Sequence, residues 1–138
     1  WEGLETKAYF DTIAKPPVWT VCYGETEGVR PLEVRTEAQC RDGLRKGLSR
    51  YRAGLHRYYT PETIAKRLPP SRDAALISTA WNVGVHGLGK STAVRRLNAG
   101  DIIGACEALG WWNKAGGRVI RGLVNRRADE QGFCRKGL

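Results

Sequence analysis

Acidic residues are scarce in this sequence. Only 14 Asp and Glu stand against 23 Lys and Arg, a formal net charge of +9 over 138 residues. Such a surplus attracts polyanions, and nucleic acid, anionic lipid and the bacterial envelope all qualify. Charge alone therefore does not choose a partner, and the basic spots at Arg95-Arg96, Arg126-Arg127 and Arg135-Lys136 are too scattered to mark one groove. Long apolar runs are missing as well. None approaches the ~20 residues that span a bilayer, and no signal-peptide core is present. The first residue is Trp1 rather than Met, which leads us to expect an upstream piece. The four cysteines, Cys22, Cys40, Cys106 and Cys134, lack the C-x-x-C spacing of a zinc knuckle or redox motif, so no metal is expected. Their even number suits two disulfides in an oxidising compartment; the alternative is four reduced cysteines in the core. There is no linker, repeat or low-complexity tract, so the length predicts one domain.

What is present is mostly helical punctuation. Val18 to Tyr23 is β-branched and aromatic, lies between Pro16-Pro17 and Gly24, and predicts a strand in a small sheet. Thr36 with Gln39 matches a capping box. Cys40, Leu44, Leu48, Tyr51 and Leu55 then recur at helical spacing. Thr60-Pro61 opens a further helix. Ser71 is expected to cap the next one, which carries Ala74, Ala75, Leu76, Ile77, Ala80 and Trp81 and should be central and buried, ending near Gly84. Ser91 opens a short basic helix, Asp101 caps another, Gly116-Gly117 forms a loop, and a last helix runs from about Val119 to Cys134. The fold class is α+β with a helical majority.

The chemistry-bearing stretch comes first. Glu2 and Asp11 are two carboxylates nine residues apart, and Thr20 follows nine later inside the strand-like run. Two carboxylates and a hydroxyl suit glycosidic bond cleavage. One carboxylic acid protonates the leaving oxygen, and the other side of the sugar needs an activated water or a nucleophile. Spacing alone is weak evidence, because carboxylates near a helix start are usually solvated or dipole-compensating.

The motifs are more specific than the spacing. Glu2-Gly3-Leu4, Lys7-Ala8-Tyr9 with Asp11, and Trp19-Thr20-Val21-Cys22-Tyr23-Gly24 resemble the active-site signature of phage-type lysozymes, glycoside hydrolase family 24. The closest similarity is to lambdoid-phage endolysins with a releasable N-terminal membrane anchor. Thr36 to Cys40, Trp81 to Gly84, Ser91-Thr92, Asn98 to Asp101, Gly104 to Cys106, Gly122-Leu123 with Arg126-Arg127, and Cys134 extend the resemblance over nearly the whole chain.

The resemblance implies a two-lobed fold within a single domain, 1–138. A small antiparallel sheet lobe with the active-site helix end and a connecting helix occupies about 1–58. A larger helical lobe occupies about 59–138, with the substrate cleft between the two. It implies a muramidase acting on the β-1,4 bond between N-acetylmuramic acid and N-acetylglucosamine, inverting, without cofactor. The enzyme would work outside the cytoplasmic membrane, in the host periplasm or cell wall, during host lysis. By the same resemblance Glu2 is the general acid, Asp11 and Thr20 hold the water, and Asn82, Ser91 and Thr92 contact substrate. Placing the cysteines on the implied lobes pairs Cys22 with Cys40 and Cys106 with Cys134. Expected partners are peptidoglycan glycan strands and the anionic envelope, with no nucleic acid, an upstream membrane anchor and a monomeric state.

The chain departs from the family pattern in three places. Eight residues separate Asp11 from Thr20, a few more than usual, which a surface hairpin tolerates because loop-closure entropy grows slowly with length. Glu25 replaces the usual His after the Tyr-Gly pair. Glu2 stands beside Trp1, whose ammonium, if terminal, would lower the pKa of the acid. His56 and His86 are read as ordinary residues, Gly89-Lys90-Ser91 as a chance likeness to a phosphate loop, and the run from Gly84 to Gly89 as a loop lining the cleft. Trp111 and Trp112 are read as core, with sugar stacking as the alternative. The alternative function is a catalytically impaired cell-wall-binding or membrane-disrupting protein of the same fold.

Overall fold

The strand-like run at Val18 is one arm of an antiparallel hairpin. In the computed structural model, which describes residues 3–11, 18–26 and 28–138, β1 (Glu5–Asp11) pairs with β2 (Val18–Cys22). Tyr9 lies opposite Thr20, Phe10 opposite Trp19 and Asp11 opposite Val18, while the register slips between Glu5 and Tyr9. Residues 33–35 run along the other edge of β1: the Ala8 amide donates to the Glu33 carbonyl at 2.5 Å and the Arg35 amide to the Thr6 carbonyl at 2.7 Å. The chain divides into two compact units, Trp1–Gly47 and Leu48–Leu138.

The first unit has a small core of Ala8, Val21, Cys22 and Cys40. Cys22 is bonded to Cys40, with Cα atoms 5.0 Å apart. The helix that follows, α1 (Glu37–His56), starts as its capping box predicts. The Gln39 amide donates to Thr36 Oγ1 at 3.1 Å, and the Thr36 amide donates to Gln39 Oε1 at 2.8 Å. Two of the orphan amides at a helix start are thereby satisfied.

The second unit is helical: α2 (Pro61–Lys66), α3 (Pro70–Val83), α4 (Val85–Gly89), α5 (Thr92–Asn98), α6 (Ile102–Leu109) and α7 (Arg121–Arg135). Thr60 caps α2 by accepting from the Thr63 amide, and Asp101 caps α6 by accepting from the Gly104 amide. Ser71 does not cap α3. Pro69 takes the cap position and Pro70 the first helical one, where proline's fixed φ and missing N–H cost nothing. The expected burial of α3 also needs correcting. Ala75, Leu76 and Ala80 are in the core, but Ala74 is exposed. Its inward side instead includes Arg72, Asp73 and Thr79, so one face is amphipathic rather than apolar all round.

Leu55, Leu76, Leu88, Val94, Leu97 and Leu109 form the main core, with α7 packed on α3 and α6. Cys106 is bonded to Cys134, with Cα atoms 5.7 Å apart. A second hairpin joins β3 (Lys114–Ala115) to β4 (Arg118–Val119). Its turn is Gly116-Gly117, both at positive φ, as a tight hairpin of this kind requires. The last helix therefore starts at Arg121, not Val119. The run from Gly84 to Gly89, expected as a loop, contains the single-turn helix α4.

Candidate active site

The hairpin of the first unit carries two of the three expected catalytic residues. Asp11 closes β1 in register with Val18, and Thr20 sits in β2 opposite Tyr9, so the two lie two register positions apart on paired strands. Thr20 is buried, 2% exposed. Glu2 lies outside the described residues, and so does the side chain of Asp11.

Where β2 ends, the chain turns tightly. Val21 and Glu25 exchange both backbone hydrogen bonds at 2.9 Å. Gly24 takes positive φ, and so does Cys22, an uncommon conformation for a residue with a Cβ. The bond to Cys40 and the Val21–Glu25 pair hold Cys22 there. Glu25, which replaces the family's usual His, forms a salt bridge to Arg35 at 2.9 Å, and Arg35 also reaches Glu33 at 2.7 Å. An ion pair thus anchors the turn, built from a carboxylate and a guanidinium.

Ser91 and Thr92 come together in the second unit. They line a cavity of about 400 Å³ with Gly87, Arg95, Trp111 and Trp112. Ser91 stands at the N-cap position of α5 but makes no capping bond. Its Oγ is buried and has no hydrogen-bond partner among the described residues. A buried hydroxyl left unpaired costs roughly 1–3 kcal/mol, so it favours a ligand or water that bonds to it. Thr92 Oγ1 accepts from Arg95 Nη2 at 2.9 Å.

Trp111 is 55% exposed, which overturns its reading as core, and Trp112 is half-buried. The Arg96 guanidinium lies 4.9 Å from the Trp111 ring centroid. Helix α6 ends at Leu109, so both indoles lie beyond it, where helical periodicity has no bearing on burial. The Gly110 interruption was the signal available in the sequence. Asn82 is exposed on the last turn of α3 and is not among the residues lining this cavity.

The histidines pair with neighbours. His56 Nε2 lies 3.2 Å from Asp73 Oδ1, and His86 Nδ1 lies 3.2 Å from the Tyr58 hydroxyl. Among the described residues no group of three His, Cys, Asp or Glu side chains is placed to hold a metal, and no helix is long and apolar enough to cross a membrane.

Comparison with known proteins places this geometry in context. Residues 1–130 match the family model described as phage lysozyme. The SAR-endolysin of bacteriophage PS119 is 37% identical over 134 residues, which is 96% of this chain and 75% of that protein. Among solved structures, the endolysin from Escherichia coli O157:H7 phage FAHEc1 superposes with a TM-score of 0.79 at 28% identity, covering 99% of this chain and 87% of that one. The muramidase domain of SpmX from Asticaccaulis excentricus gives 0.81 at 27% identity, covering 97% and 88%.

Proposed function

The chain belongs to the phage lysozyme family and is a glycoside hydrolase of the lysozyme type, and from that premise we propose how its own residues cleave peptidoglycan. The bond cut is the β-1,4 linkage between N-acetylmuramic acid and N-acetylglucosamine. Glu2 is the general acid that protonates the glycosidic oxygen. Asp11 takes a proton from the attacking water while Thr20 holds that water in line. The nucleophile is then water rather than a side chain, and the anomeric carbon inverts. Inversion needs carboxyl groups about 6.5–9.5 Å apart to admit the water.

The observation that supports these roles is the hairpin register. It sets Asp11 and the buried Thr20 on paired strands, two positions apart. The cavity in the helical unit supports a sugar-binding role for Ser91 and Thr92. It is lined by Ser91, Thr92 and the exposed indole of Trp111, the pairing of polar and stacking groups that a pyranose ring takes. Asn82 contributes a further polar contact from the end of α3.

In this reading the enzyme works as a monomer in the host periplasm or cell wall, as an endolysin. The charge of +9 holds it to the anionic envelope, so activity falls as salt screens that attraction. A salt-independent rate would remove the charge argument.

The test is peptidoglycan clearing by this chain beside its Glu2→Gln variant, with reducing ends identified by mass spectrometry. Clearing by the parent alone, releasing hydrated muramic acid ends, is the expected result. Clearing by both would transfer the activity to wall binding or membrane disruption.

A further inference from the structure

The second unit holds another cavity, of about 470 Å³, where the ends of α2, α3, α6 and α7 meet. Its walls include Leu68 and Ile102, its rim includes Lys66, Lys136 and Leu138, and Arg72 also lines it. Arg72 is 3% exposed. Its guanidinium bonds to carbonyl oxygens only: those of Cys134 at 2.8 Å, Arg67 at 2.9 Å and Lys136 at 3.5 Å. No carboxylate faces it among the described residues. Burial lowers its pKa, yet a guanidinium stays charged in proteins, so a positive charge that the helix-end carbonyls offset only in part lines the cavity.

The rim adds to that potential. Lys136 forms no ion pair among the described residues, and its ammonium lies 5.4 Å from the Phe133 ring centroid. Lys66 meets only Glu62, at 3.9 Å with both side chains exposed, a contact of little strength. Beside these cations stand two large apolar side chains in solvent, Phe133 at 52% and Leu138 at 63% exposed. A site for a small free anion has no use for exposed apolar groups, and the aliphatic Leu138 offers a glycan no ring to stack on. Basic groups ringing exposed apolar ones match the interface of an anionic bilayer, with phosphates outside and acyl chains within.

We propose that this end of the helical unit docks on membranes containing anionic lipid, with Lys66 and Lys136 at headgroup phosphates and Phe133 and Leu138 entering the interface. Such docking is separate from the catalytic reading above and would keep the enzyme at the membrane face next to the wall.

The test is co-sedimentation of the chain with phosphatidylglycerol/phosphatidylethanolamine vesicles and with phosphatidylcholine vesicles. Three double variants are compared: Lys66→Glu with Lys136→Glu, Phe133→Ser with Leu138→Ser, and the charge-matched control Lys114→Glu with Arg118→Glu. The controls are exposed residues of the β3–β4 hairpin. Each basic group at an anionic surface is worth about fivefold in binding. The lysine pair should therefore lose at least ~tenfold, the apolar pair severalfold, and the control pair no more than about twofold. Equal loss from the control pair would show that net charge alone is responsible. Equal binding to phosphatidylcholine, or no vesicle binding, would overturn the proposal. So would lysine variants that keep vesicle binding but release from purified sacculi, which would give the surface to a wall polymer. All six altered side chains are in solvent, and an unchanged melting temperature confirms that each variant folds.

Discussion

The Arg72 guanidinium donates from Nε to the carbonyl oxygen of Cys134, 2.8 Å away and 62 residues along the chain. It also donates to the Arg67 carbonyl at 2.9 Å. Cys134 lies in the last turn of α7 and Arg67 is the C-cap of α2, so one buried cation serves two helix ends. Both ends have orphan carbonyls and partial negative charge. Replacing Arg72 by Met leaves those carbonyls buried and unpaired, and we expect a loss of about 2–4 kcal/mol. Urea denaturation measures it. Lysine should restore only part, because an ammonium cannot reproduce the guanidinium fork.

Tyr59 illustrates the opposite case. Its hydroxyl is buried with no hydrogen-bond partner among the described residues. Burial, assisted by the charge of Asp73, pushes its pKa well above the ordinary phenol value of 10.0. The folded form therefore keeps this proton at a pH where the unfolded chain has lost it. The stabilisation is complete below pH 10 and declines as pH rises beyond that. Tyr59→Phe should remove this part of the alkaline decline. At neutral pH it should change stability by less than about 1 kcal/mol, since no bond is lost. Thermal melts between pH 7 and 11 would show both effects, and a large neutral-pH loss would contradict them.

Two glycines should respond in opposite directions to alanine. A Cβ at buried Gly89 would meet the Tyr58 ring near its attachment carbon, where the ring cannot swing away. Overpacking of this kind costs about 1–3 kcal/mol. A Cβ at Gly132, within α7, meets nothing within 4 Å, so Gly132→Ala should stabilise by up to about 1 kcal/mol through helix propensity. Differential melting of the two variants decides the matter.

Each disulfide closes a modest loop, Cys22 to Cys40 over 18 residues and Cys106 to Cys134 over 28. Chain entropy assigns each about 3 kcal/mol, the longer loop slightly more. Urea unfolding of the Cys106→Ser/Cys134→Ser and Cys22→Ser/Cys40→Ser pairs should show losses of that size.

For the reaction itself, Thr20→Val keeps the side-chain shape and removes the hydroxyl. On the role proposed for Thr20 as water holder, clearing should fall by about a hundredfold or more, well beyond any accompanying loss of stability measured by thermal melting. Ser91→Ala, at a hydroxyl with no partner among the described residues, should raise KM for glycan fragments severalfold while leaving kcat within about twofold. A fall in kcat alone would remove Ser91 from substrate binding.

Much of the helical layout was legible, and the reason is local. Thr36, Thr60 and Asp101 bond to amides three residues away, so a short stretch of sequence contains both partners. Strand β1 was not legible. Of its residues only Ala8 among those whose burial is described is buried. The register slip between Glu5 and Tyr9 also breaks the alternation by which a strand is recognised. Ser71 failed as a cap because the proline before it was already a better first helical residue. The expected catalytic residues were readable only through the family signature, since two carboxylates and a hydroxyl nine residues apart carry little information by themselves.

By itself the sequence determined the helix starts at Glu37, Pro61 and Ile102 and the family, and the resemblance implied the cysteine pairing through the lobes it assigns. These depend on chemistry within a few residues or on a signature preserved along the chain. Tertiary structure alone decided that Trp111 stands in solvent, that the Ser91 hydroxyl is buried with no partner among the described residues, and that Arg72 closes two helix ends. Each of those depends on what packing brings near from 20 to 60 or so residues away, and local propensity cannot encode a neighbour that only the folded core supplies.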